Sequence, residues 1–116
     1  MSQNRSAAAA KLSEAAPVFA ALGDTTRLRL VGRLSTDGPL SIARLSEGAG
    51  VTRQAITKHL HALGDAGLVR HARRGRERIW ELQPKRLERA QRCLAQIADE
   101  WDTAISRLKA LVEEET

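Results

Sequence analysis

The order of apolar and polar residues divides the chain into helical segments and one pair of strands. Between residues 51 and 63 the apolar positions Val51, Ile56, Leu60 and Leu63 recur at helical spacing, with Arg53, Gln54, Thr57 and Lys58 between them. A helix of this pattern packs one face and presents hydrogen-bonding and cationic groups on the other. Thr52 suits the N-cap and Gly67 the stop, so the helix is expected over about Arg53 to Ala66. Residues 68–73 and 78–82 read as two strands joined at Arg74-Gly75. Trp80 and Leu82 share one strand face by the period of two, taken as the inner one.

Upstream, residues 1–11 are polar and then alanine-rich without periodicity, and read as a flexible arm ahead of one domain over 12–116. A first helix is expected from Leu12 to Leu22, kinked or restarted at Pro17 and stopped by Gly23. Asp24 caps a second helix from Thr25 to Leu34, with Leu28, Val31 and Leu34 inward. Gly32 in its middle suggests close approach of a neighbouring helix. Ser41 caps a short third helix, Ile42 to Glu47, and Gly48-Ala49-Gly50 makes the turn that follows. These elements group as a helix-turn-helix over 41–66, a wing over 68–82 and a last helix over 84–113.

The last helix carries the longest pattern. Leu87, Ala90, Leu94, Ile97, Trp101, Ala104, Leu108 and Leu111 follow alternating spacings of three and four, the seam of a helix pair. The expected partner is a second copy of the chain, and Val18, Phe19 and Leu22 of the first helix are the expected companions in that interface with Leu94, Ile97, Trp101, Ala104, Leu108 and Leu111. The fold class is mainly α with a small β-hairpin: a winged helix-turn-helix dimerising through its N- and C-terminal helices.

Composition narrows the partner. The net charge is +5, and residues 51–83 alone hold seven Lys/Arg against three Asp/Glu. Positive charge gathered in one third of the chain is the footprint of a polyanion partner. There is no run of apolar residues long enough to cross a membrane and no apolar leader segment, so a cytoplasmic location is the expectation. The lone Cys93 cannot close an internal disulfide and reads as an inert buried thiol. No nucleophile–base pair or Gly-rich phosphate loop stands out, so binding rather than catalysis is expected, with no cofactor.

Within the basic third, Gln54 can pair with adenine and Arg53 with guanine or a phosphate. Thr52 serves as a cap and can also sit at a phosphate. Thr57 and Lys58 lie one turn on, Lys58 suited to a phosphate, and His61 points outward towards one as well. His59 falls at the edge of the packed face, and Arg27 is expected to tie the second helix to an acidic neighbour. Arg73, Arg74, Arg76 and Arg78 surround Gly75 as the strongest electrostatic feature, with Arg74 and Arg76 at the tip as the preferred minor-groove contacts.

With the stretches Phe19–Arg27, Thr52–Leu60 and Ala66–Arg70 plus the arginine wing, the chain resembles the ArsR/SmtB family of winged-helix repressors over about residues 15–112. Thr25 stands where many members have proline. The resemblance implies a homodimer with the fourth helix of each protomer in a major groove, repression by promoter occlusion, and release by an inducer. Metals are the best-known inducers of the family. Here residues 40–45 read Leu-Ser-Ile-Ala-Arg-Leu, without a cysteine pair, and the last helix has no histidine. The expectation is therefore no metal site, a place in the metal-independent branch, double-stranded DNA as partner and a small-molecule effector of unknown identity. A non-specific or architectural DNA-binding protein and a metal-responsive repressor are the competing readings.

Overall fold

The computed structural model describes the backbone of residues 2–115 and the side chains of residues 10–114. Along it run α1 (Ser2–Leu22), α2 (Thr25–Asp37), β1 (Leu40–Ser41), α3 (Ile42–Ser46), α4 (Arg53–Asp65), β2 (Val69–Arg74), β3 (Glu77–Leu82) and α5 (Pro84–Glu115). The first helix begins ten residues earlier than the pattern predicts and passes through Pro17 without a break. Ala7–Ala10 have the highest helix propensity of any residue, which draws much of the segment read as an arm into the helix.

Each cap predicted from sequence forms. Asp24 accepts from the Arg27 amide at 3.1 Å, Ser41 from the Arg44 amide at 3.2 Å and Thr52 from the Ala55 amide at 3.1 Å. The bond from Arg27 lowers the Asp24 pKa, and the charges of His59 and Arg27 lower it further. A carboxyl so depressed stabilises the fold above its ordinary range, and that contribution is lost as pH falls through the folded value. At the other end of α4, the Leu68 amide reaches back to the Leu63 carbonyl at 2.9 Å around Gly67, whose φ is +77°. This is a Schellman ending, with Leu63 and Leu68 both fully buried beside it.

The inner face of α2 differs from the expectation. Leu30 and Leu34 are buried, whereas Leu28 is 53 % exposed. Leu28 sits about a third of a turn away from the arc shared by Leu30, Val31 and Leu34. Gly32 has open space where a Cβ would stand, so no helix approaches there. Ile56, Leu60 and Leu63 of α4 form the centre of the core with Leu45, Leu68 and Trp80. Arg33 of α2 donates to the carbonyls of Arg44 and Leu45 at 2.8 and 3.3 Å, closing the C-terminal end of α3.

The sheet has the order β1-β3-β2, antiparallel throughout. The short β1 adds a strand that the sequence pattern does not announce. Leu40 pairs with Trp80 and Ser41 with Ile79, so β3 lies between β1 and the outer strand β2. The wing is therefore fastened to the residue that also caps α3.

The protomer is elongated: its radius of gyration is 19.3 Å, against roughly 13 Å for a compact chain of this length. The reason is α5, 32 residues long and so about 48 Å from end to end. Leu87 and Ala90 pack on the core, but Leu94, Trp101, Ile105, Leu108, Leu111 and Val112 are all exposed.

The two contrasting glycines give a test. Gly32→Ala should stabilise the fold by about 0.5–1 kcal/mol, since it removes backbone freedom in a helix with space for the methyl. Gly67→Ala should destabilise it by about 1–2 kcal/mol, because φ is positive there and a Cβ would stand 2.6 Å from the Arg86 side chain. Urea denaturation of the two variants measures both signs; changes of equal sign would contradict this account.

Candidate nucleic-acid interface

Helix α4 projects its polar arc because the opposite arc is consumed by the core. Arg53, Gln54, Lys58 and His61 are exposed, while Ile56, Leu60 and Leu63 are fully buried. Thr52 satisfies one of the free amides of the first turn. The remaining N–H groups and the helix dipole favour an anion at that end, next to the Arg53 guanidinium. Thr57 is half-buried, and its hydroxyl donates to the Arg53 carbonyl at 2.8 Å. That proton is engaged within the helix, so an outside group meets only the lone pairs or the methyl of Thr57.

His61 is held by an aromatic contact. Its ring meets Trp80 edge-on with centroids 5.6 Å apart, and His71 lies 4.6 Å from the same indole at a tilt of 56°. His59 is half-buried and lies 3.9 Å from Asp24, joining α4 to the start of α2. Arg27 does not make the expected tie by hydrogen bond: its Nε is buried with no partner among the described residues, and its charge acts on Asp24 through space.

The wing projects, with β2 exposed from Arg70 to Arg74. Its strands extend one residue nearer the tip than predicted, leaving Gly75 and Arg76 as a two-residue turn. Gly75 has φ of +64° and no non-glycine residue has positive φ among the described residues, the pattern of a type II′ turn with glycine first. The pairing register sorts the arginines. Arg73 stands directly opposite Arg78, on the same sheet face as Trp80 and Leu82; Arg74 stands opposite Glu77 on the other face. Like charges facing each other weaken a hairpin, and two adjacent guanidinium groups make a fork for a phosphate. Arg70 is matched by Glu81, its cross-strand neighbour. The strongest uncompensated charge of the wing is thus the Arg73–Arg78 pair, with Arg76 at the tip, while the preferred tip residue Arg74 has a carboxylate across from it.

Sequence reasoning also passed over Arg44, which is exposed on α3. An arginine in the first helix of a helix-turn-helix was the available signal. Among the described residues no three His, Cys, Asp or Glu side chains gather into a group able to hold a metal, and no helix is long and apolar enough to cross a membrane.

The residues expected at a dimer contact fall into two sets. Val18 is 1 % exposed and belongs to the protomer's own core, so it has no surface to offer a partner. Phe19 and Leu22 are half-buried against the same core. Leu94, Trp101, Ala104, Leu108 and Leu111 lie open along α5, and Ile97 is half-buried. Ile97 and Cys93 line a groove of about 630 Å³ between α1 and α5, with Arg86, Arg89 and Arg92 along its α5 wall.

Comparison with known proteins agrees with this geometry. A family model described as a helix-turn-helix domain matches residues 22–72. The HTH-type transcriptional regulator Rv2034 of Mycobacterium tuberculosis is 33 % identical over 95 residues, which cover 82 % of this chain and 85 % of that protein. The solved structure of an ArsR-like transcriptional regulator from Rhodococcus sp. RHA1 superposes with a TM-score of 0.72 at 37 % identity, covering 86 % of this chain and 93 % of that one. The homodimeric winged helix-turn-helix DNA-binding domain Mb0332 of Mycobacterium bovis, solved in solution, superposes with a TM-score of 0.62 at 26 % identity, covering 79 % and 84 %.

The wing register predicts an asymmetry. Arg73→Ala should leave the free protein as stable or more stable, by up to about 0.5 kcal/mol, because it removes a like-charge pair. The same change should weaken duplex binding and lower the salt slope by about one. Arg74→Ala should weaken binding less. Salt-dependent titration of both variants decides; a larger loss for Arg74→Ala would contradict the assignment.

Proposed function

The chain belongs to the ArsR family of winged helix-turn-helix transcriptional regulators, and on that premise we propose that it is a homodimeric repressor of an inverted-repeat operator. The family is one of DNA-binding regulators and not of enzymes. In this reading α4 of each protomer lies in the major groove. Gln54 reads a base edge, Arg53 a base or phosphate, and Lys58 and the α4 N-terminus hold the backbone. Thr57 offers its methyl or lone pairs, and His61 its outer edge. Arg44 adds a phosphate contact from α3. The wing lays Arg73, Arg76 and Arg78 on the backbone or in the minor groove, with Arg74 less engaged. The chain adds these charges without any chemistry of its own.

The observation that carries the reading is the two-faced α4: three fully buried apolar residues on one arc and an uninterrupted polar, cationic arc on the other. Homodimerisation is supported by the exposed α5 stripe and by the homodimeric state of the M. bovis neighbour. Repression follows from occupying a promoter. Release belongs to an effector other than a metal held at the two sites weighed from sequence, since neither stretch supplies the ligands.

An architectural protein would use the same basic surface, and specificity separates the two. The repressor reading expects a duplex carrying an inverted repeat from the gene's own promoter to bind at least ~10³-fold tighter than random duplex; equal affinities would overturn it. Gln54→Ala should relax preference at one base position per half-site, whereas a loss uniform across sequences would contradict base readout.

A further inference from the structure

The groove of about 630 Å³ between α1 and α5 falls inside the ~300–1,000 Å³ range that holds small molecules. Its floor is apolar, with Ala15 and Val18 buried and Cys93 and Ile97 half-buried. Its walls are charged. On α1, Lys11 and Glu14 stand three residues apart and balance each other. On α5, Arg86, Arg89 and Arg92 stand against one carboxylate, Glu100, which lies about 12 Å along the helix from Arg92. None of the three arginines has an ion-pair partner among the described residues. Arg89 and Arg92 lie about 120° and 180° around α5 from the line through Leu94, Trp101 and Leu108. A second copy seated on that line leaves the arginine wall open.

We infer that this groove binds a small organic carboxylate with an apolar body, and that its occupation lowers DNA affinity through Arg86. The inference rests on the regulator reading above and specifies its signal. A carboxylate matches the arginine wall, because a guanidinium can hold both of its oxygens at once. The apolar body covers the floor of Ala15, Val18 and Ile97, which a bare anion such as phosphate would leave in water. A cation is repelled by the same three arginines. A metal ion also lacks ligands, since no three His, Cys, Asp or Glu side chains gather among the described residues.

Arg86 connects the groove to the DNA-binding unit. It lines the groove, and its Cδ and Nε lie 2.6 Å from the point where a Cβ at Gly67 would stand. Gly67 is the left-handed residue that ends α4. A guanidinium at that end complements the negative pole of the α4 dipole. A carboxylate in the groove competes for the same guanidinium and draws it off α4. The ligand thereby favours the state in which the end of α4 is uncovered, which is the differential affinity a conformational signal requires. Linkage makes the effect reciprocal: bound DNA weakens the carboxylate by the same factor.

Octanoate is the probe, with acetate as its head alone and octan-1-ol as its body alone. Calorimetry on the full chain should show about one octanoate per protomer and at least about tenfold weaker binding of either fragment. Octanoate should also slow labelling of Cys93 by a thiol reagent, since that thiol lines the groove. Arg89→Gln combined with Arg92→Gln should weaken octanoate about tenfold, with helicity by circular dichroism unchanged. On the promoter duplex, saturating octanoate should weaken binding of the natural chain about tenfold and of Arg86→Gln less than about twofold. No octanoate binding, or binding unchanged by the paired arginine substitutions, would overturn the site. Octanoate bound without effect on duplex affinity, or an Arg86→Gln chain as responsive as the natural one, would overturn the route through Arg86. A chain without preference for the inverted repeat would instead overturn the regulator reading, and calorimetry and Cys93 labelling would still decide the site.

Discussion

The packing around the Trp80 indole is the contact on which the rest of the interface depends. Trp80 is 1 % exposed and sits on the middle strand, opposite Leu40 on one side and His71 on the other. Its ring also receives His61 from α4. One side chain thereby joins α4, the wing and the strand that leads into α3. The angle between α4 and the wing is set there and not at the exposed arginines. The buried indole Nε1 has no hydrogen-bond partner among the described residues, a cost of roughly 1–3 kcal/mol that the surrounding apolar burial offsets.

A second constraint comes from α5. A protomer that leaves a Trp and several Leu and Val side chains in water carries an apolar patch that lone soluble domains avoid. The helix packs against the core and α1 through its first half and leaves Trp101, Leu108 and Leu111 exposed; in the proposed dimer, covering them also fixes the distance between two α4 helices. Arg86 makes a close link between the two constraints. Its side chain lies over Gly67 at the end of α4, where a methyl group would already collide. The start of α5 and the end of α4 are thus in direct contact.

Much of this was legible from sequence where local chemistry decides. Asp24, Ser41 and Thr52 were readable as caps because their side chains satisfy amides three residues away. The buried arc of α4 followed from period alone. Several features were not legible, each for a physical reason. A two-residue strand such as β1 has no periodicity, and only its pairing with Trp80 and Ile79 reveals it. Leu28 looked inward because one apolar spacing on α2 fits as well as another until a neighbour chooses. The ranking of the wing arginines depended on register, since moving the turn back by one residue would set His71 opposite Arg78 and Ala72 opposite Glu77 in place of Arg73 and Arg74. Val18 shared the apolar character of an interface residue but was already enclosed by its own domain.

In the proposed homodimer two α4 helices, held at a distance set by α5, read two related half-sites. Selection of bound duplexes from a random library by the unmodified protein addresses that claim most directly. The enriched sequences should contain two half-sites in inverted orientation, with centres about 10–10.5 base pairs apart or a multiple of that. Enrichment of a single half-site, of direct repeats, or of no sequence at all would contradict it.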